Sequence, residues 1–204
     1  MLVDEIMTRD VQTVAPVDRL GYAWELMQNG GFRHLPVVEG DRIVGIVSDR
    51  DVQLAIARAK GSVGETPNIG SIMWREPYVA TPDMPVEEAS QVMLSNSVGA
   101  LPVVEDFRLV GIVSESDVLR LTVDLLGMAG PSVRVLLDLS DPGPQLEQVM
   151  ALAHQHGIAV ASLMSRGTEH GNRKVVLRLA TDRADALLDD LAHMGVLGRT
   201  LTSV

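Results

Sequence analysis

Two serine–aspartate pairs have a spacing that suits ligand chemistry, Ser48-Asp49-Arg50-Asp51 and Ser114-Glu115-Ser116-Asp117. Each follows an apolar run, Gly45-Ile46-Val47 or Gly111-Ile112-Val113, and precedes a stretch that reads as a helix. Each serine therefore falls at a strand-to-helix junction, where a helix N-cap belongs. The first-turn amides of such a helix have no intrahelical partner and carry partial positive charge, which predicts a site for an anion or a hydroxyl-rich ligand. An ionised carboxylate only accepts hydrogen bonds, so Asp51 and Asp117 match the two donors of a vicinal diol. The bland alternative is that each serine is a cap and each aspartate a first-turn acid that suits the helix dipole, with no ligand.

The two pairs belong to an internal repeat with an offset of 66 residues. Leu35-Pro36-Val37-Val38-Glu39 returns as Leu101-Pro102-Val103-Val104-Glu105, and from Ile6 to Val52 the register holds without a gap, with 19 of 47 pairs identical. Two copies are too few for a solenoid, so they form a pseudo-twofold pair that buries a shared face. Within each copy the pattern is helix, strand, strand, helix. Leu20, Ala23, Leu26 and Met27 share a helical face, as do Val86, Ala89, Val92 and Met93. Leu35 to Val38 and Ile43 to Val47 are short strands around the turn Glu39-Gly40-Asp41-Arg42. Lys60 to Gly70 is the linker, which places the copies at 1–62 and 63–128.

After Gly127 to Pro131 the pattern changes. Strands are predicted at Val133 to Leu139, Ile158 to Met164, Lys174 to Ala180 and Val196 to Leu201. Helices follow Asp141-Pro142-Gly143-Pro144 and span Ala184 to His193, and Ser165 to Arg173 is a polar connection. That order is the split βαβ arrangement, two helices on one face of an antiparallel sheet, and it marks a second domain at 131–204. Pro144 is expected at the first helical position.

The paired Leu-Pro-Val-Val and Gly-Ile-Val-Ser-x-x-Asp-Val blocks resemble the cystathionine-β-synthase (CBS) domain, and their tandem arrangement resembles the Bateman module. Residues 133–204 resemble an ACT domain, through Asp141-Pro142-Gly143 and Gly157-Ile158-Ala159-Val160. The combination is similar to the acetoin-utilisation B group of bacterial regulatory proteins. The fold class implied is α/β (α+β), a CBS-domain pair followed by a ferredoxin-like βαββαβ domain of ACT type. The resemblance implies an adenosyl ligand (AMP, ADP, ATP or S-adenosylmethionine) whose ribose hydroxyls meet Asp51 or Asp117, and whose adenine lies near Met7 with Gln12 or Met73 with Tyr78. The resemblance further implies that basic residues before the Leu-Pro block reach across to phosphates in the partner copy's cleft. Arg33-His34 stand there in the first copy and Gly99-Ala100 in the second, which makes the Ser114–Asp117 cleft the better nucleotide site. Arg50 is a further phosphate candidate with an uncharged counterpart, Ser116. Surface solvation or pairing with the abundant acids remains the competing reading of these three cations. In the ACT-like part the resemblance implies an amino-acid site at Asp141 and Gly143, or no ligand and edge-to-edge pairing.

Composition bounds the rest. A net charge of −10 and 3% aromatics argue against nucleic acid, and no apolar run reaches the roughly 20 residues of a membrane span. The acidity is uneven, with 19 acidic and 10 basic residues in 1–130 against 8 and 7 in 131–204. The absence of Cys excludes disulfides, thiolate metal sites and thiol catalysis. No Gly-x-Gly occurs, neither Lys60 nor Lys174 follows a Gly, and no His-Glu-x-x-His is present. His154 and His156 point to different faces of a helix, so no metal is expected. Trp24 and Trp74 have no match in the repeat. The expectation is a cytoplasmic, homodimeric, non-catalytic ligand sensor without cofactor. A purely structural dimerisation module with empty clefts is the alternative.

Overall fold

A computed structural model describes residues 1–59, 67–128, 130–168 and 172–203. The expected boundary at 62–63 and most of the expected linker lie outside those residues. The chain divides into two compact units, Met1–Leu119 and Arg120–Val204.

The first unit holds α1 (Leu20–Gly30), β1 (His34–Glu39), β2 (Arg42–Ser48) and α2 (Asp49–Ala59) from one copy. The other copy supplies β3 (Trp74–Arg75), α3 (Val86–Asn96), β4 (Ala100–Glu105), β5 (Arg108–Ser114) and the start of α4 (Glu115–Leu125). The helical stripes are buried as their spacing predicts, at Leu20, Ala23 and Met27 and at Val86, Ala89 and Met93. The strands run β1–β2–β5–β4, with β3 added to β2. Leu35 pairs with Val47 and Leu101 with Val113, and both hairpins carry a register irregularity at equivalent places, Val37/Val38 and Val103/Val104. The two hairpins meet where Arg42 pairs with Arg108.

The copies exchange their first segments. Val3 and Met7 pack with Ala80, Ala89, Met93, Leu101, Val103 and Val113, which all belong to the second copy. Conversely Ile69 and Met73 pack with Val14, Leu20, Leu35, Val37 and Val47 of the first. Thr8 and Ile112 exchange two backbone hydrogen bonds of 2.9 Å, and Trp74 pairs with Ile46 at the equivalent place. Glycine makes this close approach feasible: a Cβ on Gly45 would lie 2.9 Å from the Trp74 carbonyl oxygen, and one on Gly111 would lie 3.1 Å from that of Thr8. The expected linker therefore ends early, since Asn68 caps a 3-10 turn, Ile69–Ser71, whose first residue is core.

The hairpin turns are not equivalent. Gly40 takes a positive φ in the first, whereas Asp106 (φ 49°) and Phe107 (φ 67°) both do so in the second. A left-handed L residue costs roughly 1–2 kcal/mol, and Phe107 is exposed, so no burial offsets that cost. Replacing Asp106-Phe107 by Asn-Gly, the pair such turns prefer, should stabilise the unit by about 1 kcal/mol, read as a higher urea midpoint.

The second unit has β6 (Ser132–Leu139), α5 (Pro142–Gln155), β7 (Val160–Gly167), β8 (Arg173–Leu179), α6 (Asp185–His193) and β9 (Leu197–Ser203). Its antiparallel strands run β7–β8–β6–β9. Alternate residues of the two central strands, Val133, Val135, Leu137 and Leu139 with Val175, Leu177 and Leu179, pack against Val149, Ala153, Leu187 and Leu191 of the helices. The strand expected from Ile158 starts at Val160, because Gly157 turns left-handed and the Ile158 N–H closes α5 on the Ala153 carbonyl. The expected polar connection is shorter, since Ser165 to Gly167 pair with Val175 to Arg173. Pro142, not Pro144, opens α5. Gly143 and Pro144 lie inside its first turn, where a missing N–H breaks no intrahelical bond.

Candidate functional site

Each serine–aspartate pair is tied together at the start of its helix. The Ser48 N–H and hydroxyl donate to Asp51 Oδ2 at 3.0 and 2.5 Å, and the Asp51 N–H returns a bond to Ser48 Oγ at 3.3 Å. The second copy repeats the two bonds to the carboxylate, with Ser114 N and Oγ at 2.9 and 2.6 Å from Asp117 Oδ2. The motif is a capping box in which Asp takes the place of Glu.

This changes the anion expectation at Ser48. The Asp49 N–H donates to the Arg33 carbonyl at 2.9 Å, and the Arg50 N–H to Asp49 Oδ1 at 2.8 Å. All four amides from Ser48 to Asp51 thus have acceptors within the protein, two of them carboxylates. The helix start does not present unpaired donors to an anion.

A cleft of about 200 Å³ opens in front of the first box, smaller than the roughly 300–1,000 Å³ of most small-molecule sites. Ser48, Asp51, Ile46 and His34 of one copy line it, together with Trp74, Pro77, Tyr78 and the run Ser97 to Ala100 of the other. Segment exchange explains this composition, since β3 carries Trp74 onto β2 and Tyr78 follows. Of the expected residues, Ser48, Asp51, His34 and Tyr78 therefore converge here. Met73 and Met7 are instead core residues lying against Gly45 and Gly111, each 8% exposed. Gln12 is exposed and holds the place of Tyr78 at the same offset, on the segment that follows the Thr8–Ile112 bridge. Arg33 and Arg50 are exposed, and neither lines the Ser48 cleft.

Trp74 escaped the sequence reading as a site residue. It is 64% exposed and lines the cleft beside Tyr78, so two of the chain's few aromatics gather at one place. Its lack of a counterpart, Thr8 standing at the matching position, was the available signal. His34 is the other informative side chain. It pairs with Ser48 across the hairpin and lies against Gly99, where a Cβ would stand 3.0 Å from the imidazole Cε1. The divergence of Arg33-His34 from Gly99-Ala100 is thus a fitted pair, a small residue making room for the ring.

Burial, followed by the Arg33 guanidinium, lowers the His34 pKa, while Asp49, Glu115 and Asp51 act the other way. Because the folded pKa is below the unfolded one, the unfolded chain takes up a proton first as pH falls. The stability linked to His34 is complete above about pH 6.5 and is lost as pH falls through the lower folded value. Urea unfolding at pH 7.5 and 5.5 should therefore show a smaller acid-induced loss in His34→Asn than in the parent.

In the second unit Asp141 is the N-cap of α5 and its side chain makes no capping bond; its N–H donates to Gln145 Oε1 at 2.9 Å. Gly143 is exposed, with open space where a Cβ would be. Among the described residues, no three His, Asp or Glu side chains are grouped to hold a metal, and no helix is long and apolar enough to cross a membrane.

The family profile described as "CBS domain" matches residues 3–58 and 69–124, more than half of the chain. A protein of Methanocaldococcus jannaschii, MJ1225, is 35% identical over 129 residues, 58% of this chain and 46% of that protein. The chain thus spans less than half of that relative. Among solved structures, the CBS-domain pair of protein MJ0100 in complex with 5′-methylthioadenosine and S-adenosyl-L-methionine superposes with a TM-score of 0.55 and 30% identity, covering 60% of this chain and 95% of that one. A structure from Vibrio cholerae named for acetoin utilization (AcuB) gives 0.56 and 29%, covering 63% and 94%.

Proposed function

The chain belongs to the CBS-domain family, and from that premise we propose that it is a non-catalytic regulatory protein whose paired copies bind an adenosyl ligand. The observation that carries the proposal is the Ser48 cleft, which a carboxylate fixed by its own capping box lines together with two aromatic side chains. Asp51 accepts the two ribose hydroxyls and the aromatic side receives the base. Asp117 plays the same part in the equivalent cleft, to which the repeat offset assigns Gln12 and Arg33. MJ0100, a structural neighbour, holds 5′-methylthioadenosine and S-adenosyl-L-methionine, which supports the ligand class.

A ligand clamped between the two copies shifts their packing only by its differential affinity for the two arrangements. We read the second unit as ACT-like. Its element order and the strand order β7–β8–β6–β9 support this, and its role is to pair two chains or to bind a small metabolite near Asp141 and Gly143. A homodimer fits the apolar side chains of α4, Leu119, Val123 and Leu125, which stand exposed among the described residues. The reading places the protein in the cytoplasm, with no nucleic acid, membrane or metal partner.

Calorimetric titration with AMP, ADP, ATP and S-adenosylmethionine tests it. Micromolar binding that is lost in Asp51→Ala or Asp117→Ala supports a sensor. Folded protein that binds none of the four is instead a structural dimerisation module.

A further inference from the structure

The second unit is polarised in charge. Its helices α5 and α6 carry Glu147, Asp185, Asp189 and Asp190 and neither Lys nor Arg. Val133, Val135, Leu137 and Leu139 of β6 face those helices together with alternate residues of β8, so the intervening side chains point to the other side of the sheet. That side carries Arg134, Arg166, Lys174 and Arg178, with Asp138 its one acid among the described residues. A basic sheet face therefore stands on a chain of net charge −10.

The register arranges this face in rows across β7, β8 and β6. Ser162, Arg178 and Arg134 form the first row, Met164, Val176 and Leu136 the second, and Arg166, Lys174 and Asp138 the third. An apolar row thus lies between two basic ones. Met164 is 44% exposed and Val176 and Leu136 are half-buried, so the row is partly open where its counterpart on the helical side is closed. In the first row Arg134 and Arg178 stand directly opposite on the two central strands, where like charges destabilise the pairing. Arg178 Nη1 donates to the Ser132 hydroxyl at 2.8 Å, and Ser132 is only 3% exposed, so that guanidinium is held in place. Among the described residues, Lys174 alone of the four cations pairs with an acid, Asp138 at 3.9 Å.

We propose that this face docks an acidic amphipathic helix of a partner protein. A carboxylate between Arg134 and Arg178 offsets their repulsion and accepts charge-assisted bonds from both. Val176, Leu136 and Met164 receive the apolar side chains of the helix, and the flexible thioether of Met164 adapts to their shape. At a strand rise of about 3.3 Å the outer rows lie about 13 Å apart, which a helix spans in about nine residues, so acids at that spacing meet both rows. The broad face of a sheet is closed by a helical layer, whereas a strand would add at its edge. A second copy of the same face fits badly, because both outer rows are basic and a twofold would set cation against cation. Nucleic acid fits less well than a helix, since the central row is aliphatic and offers no ring for a base to stack on.

The probe is a fluorescein-labelled synthetic helix of about 18 residues, roughly five turns, with Glu pairs about nine residues apart and Leu between them on one face. Anisotropy titration with the full chain should show saturable binding that weakens as NaCl rises from about 50 to about 300 mM. The double variant Arg134→Glu with Arg178→Glu should bind about 10-fold more weakly or worse, and should prefer a peptide with Lys in place of Glu. A scrambled peptide of the same composition, which keeps the charge and loses the apolar face, should bind at least about 5-fold more weakly than the probe. Arg134→Gln keeps the test valid if the double variant does not fold. Because it relieves the repulsion, its urea midpoint should stay at or above the parent's while peptide affinity falls about 3-fold. Folded parent that ignores the probe overturns the proposal, as does affinity unchanged in Arg134→Gln. A single-stranded oligonucleotide that binds more tightly than the probe and depends on the same arginines overturns it in favour of nucleic acid. A lower sedimenting mass for Arg134→Gln than for the parent overturns it in favour of a second copy.

Discussion

Asp51→Ala is expected to weaken adenosyl binding at the Ser48 cleft by roughly 30- to 1,000-fold, the equivalent of about 2–4 kcal/mol. The carboxylate accepts two ribose hydroxyls, and a hydrogen bond to a charged group contributes about 1.5–3 kcal/mol, part of which water recovers in the variant. The same change removes the acceptor of the Ser48 N–H and hydroxyl, so a stability loss of about 1 kcal/mol accompanies it. Asp51→Asn separates the two roles. An amide oxygen still accepts the cap bonds, so the urea midpoint should stay near the parent's, while loss of charge and of one acceptor still weakens binding. Calorimetry beside urea unfolding reads both quantities. Affinity unchanged in Asp51→Ala would reduce the aspartate to a helix cap, the alternative its spacing allowed from the start.

The second large effect concerns the exchanged segments. Met73→Ala should destabilise the whole of Met1–Leu119 by about 2–4 kcal/mol, the usual cost of truncating a buried methionine. Met73 belongs by sequence to the second copy but lies in the core of the first, against Gly45. Met7→Ala should act equally through the other core. Neither core is complete without the other copy's segment, so the unit should lose structure in one transition that both substitutions move together. Two copies folding independently would give two transitions, only one of which shifts. Urea unfolding followed by tryptophan fluorescence and by far-ultraviolet dichroism distinguishes these outcomes.

Much of the architecture is legible because it depends on local periodicity. The stripe Leu20-Ala23-Met27, the turn between β1 and β2, the serine caps and the strand and helix order of the second unit all follow from residues within a few positions of one another. The offset repeat reveals the pairing of copies for the same reason, since identical blocks impose identical hairpins. Boundaries are less legible where backbone satisfaction outweighs residue type. Pro142 rather than Pro144 opens α5, and Gly157 delays β7 to Val160, because the chain ends a helix with a left-handed residue before it can pair.

The sequence by itself determined that two like units stand together, each with a capped helix and an aspartate three residues after a serine. It also determined that one unit carries a basic pair where the other carries Gly99-Ala100. Tertiary structure alone decided which side chains face each other. Met73 and Met7 entered the cores, Trp74 and Tyr78 crossed to the Ser48 cleft, and the amides of α2 found acceptors, one of them the carbonyl of Arg33 on the segment leading into β1. The reason is that periodicity records only which face of an element avoids water. Which distant segment covers that face, and whether a polar group is already satisfied there, depends on packing between residues tens of positions apart.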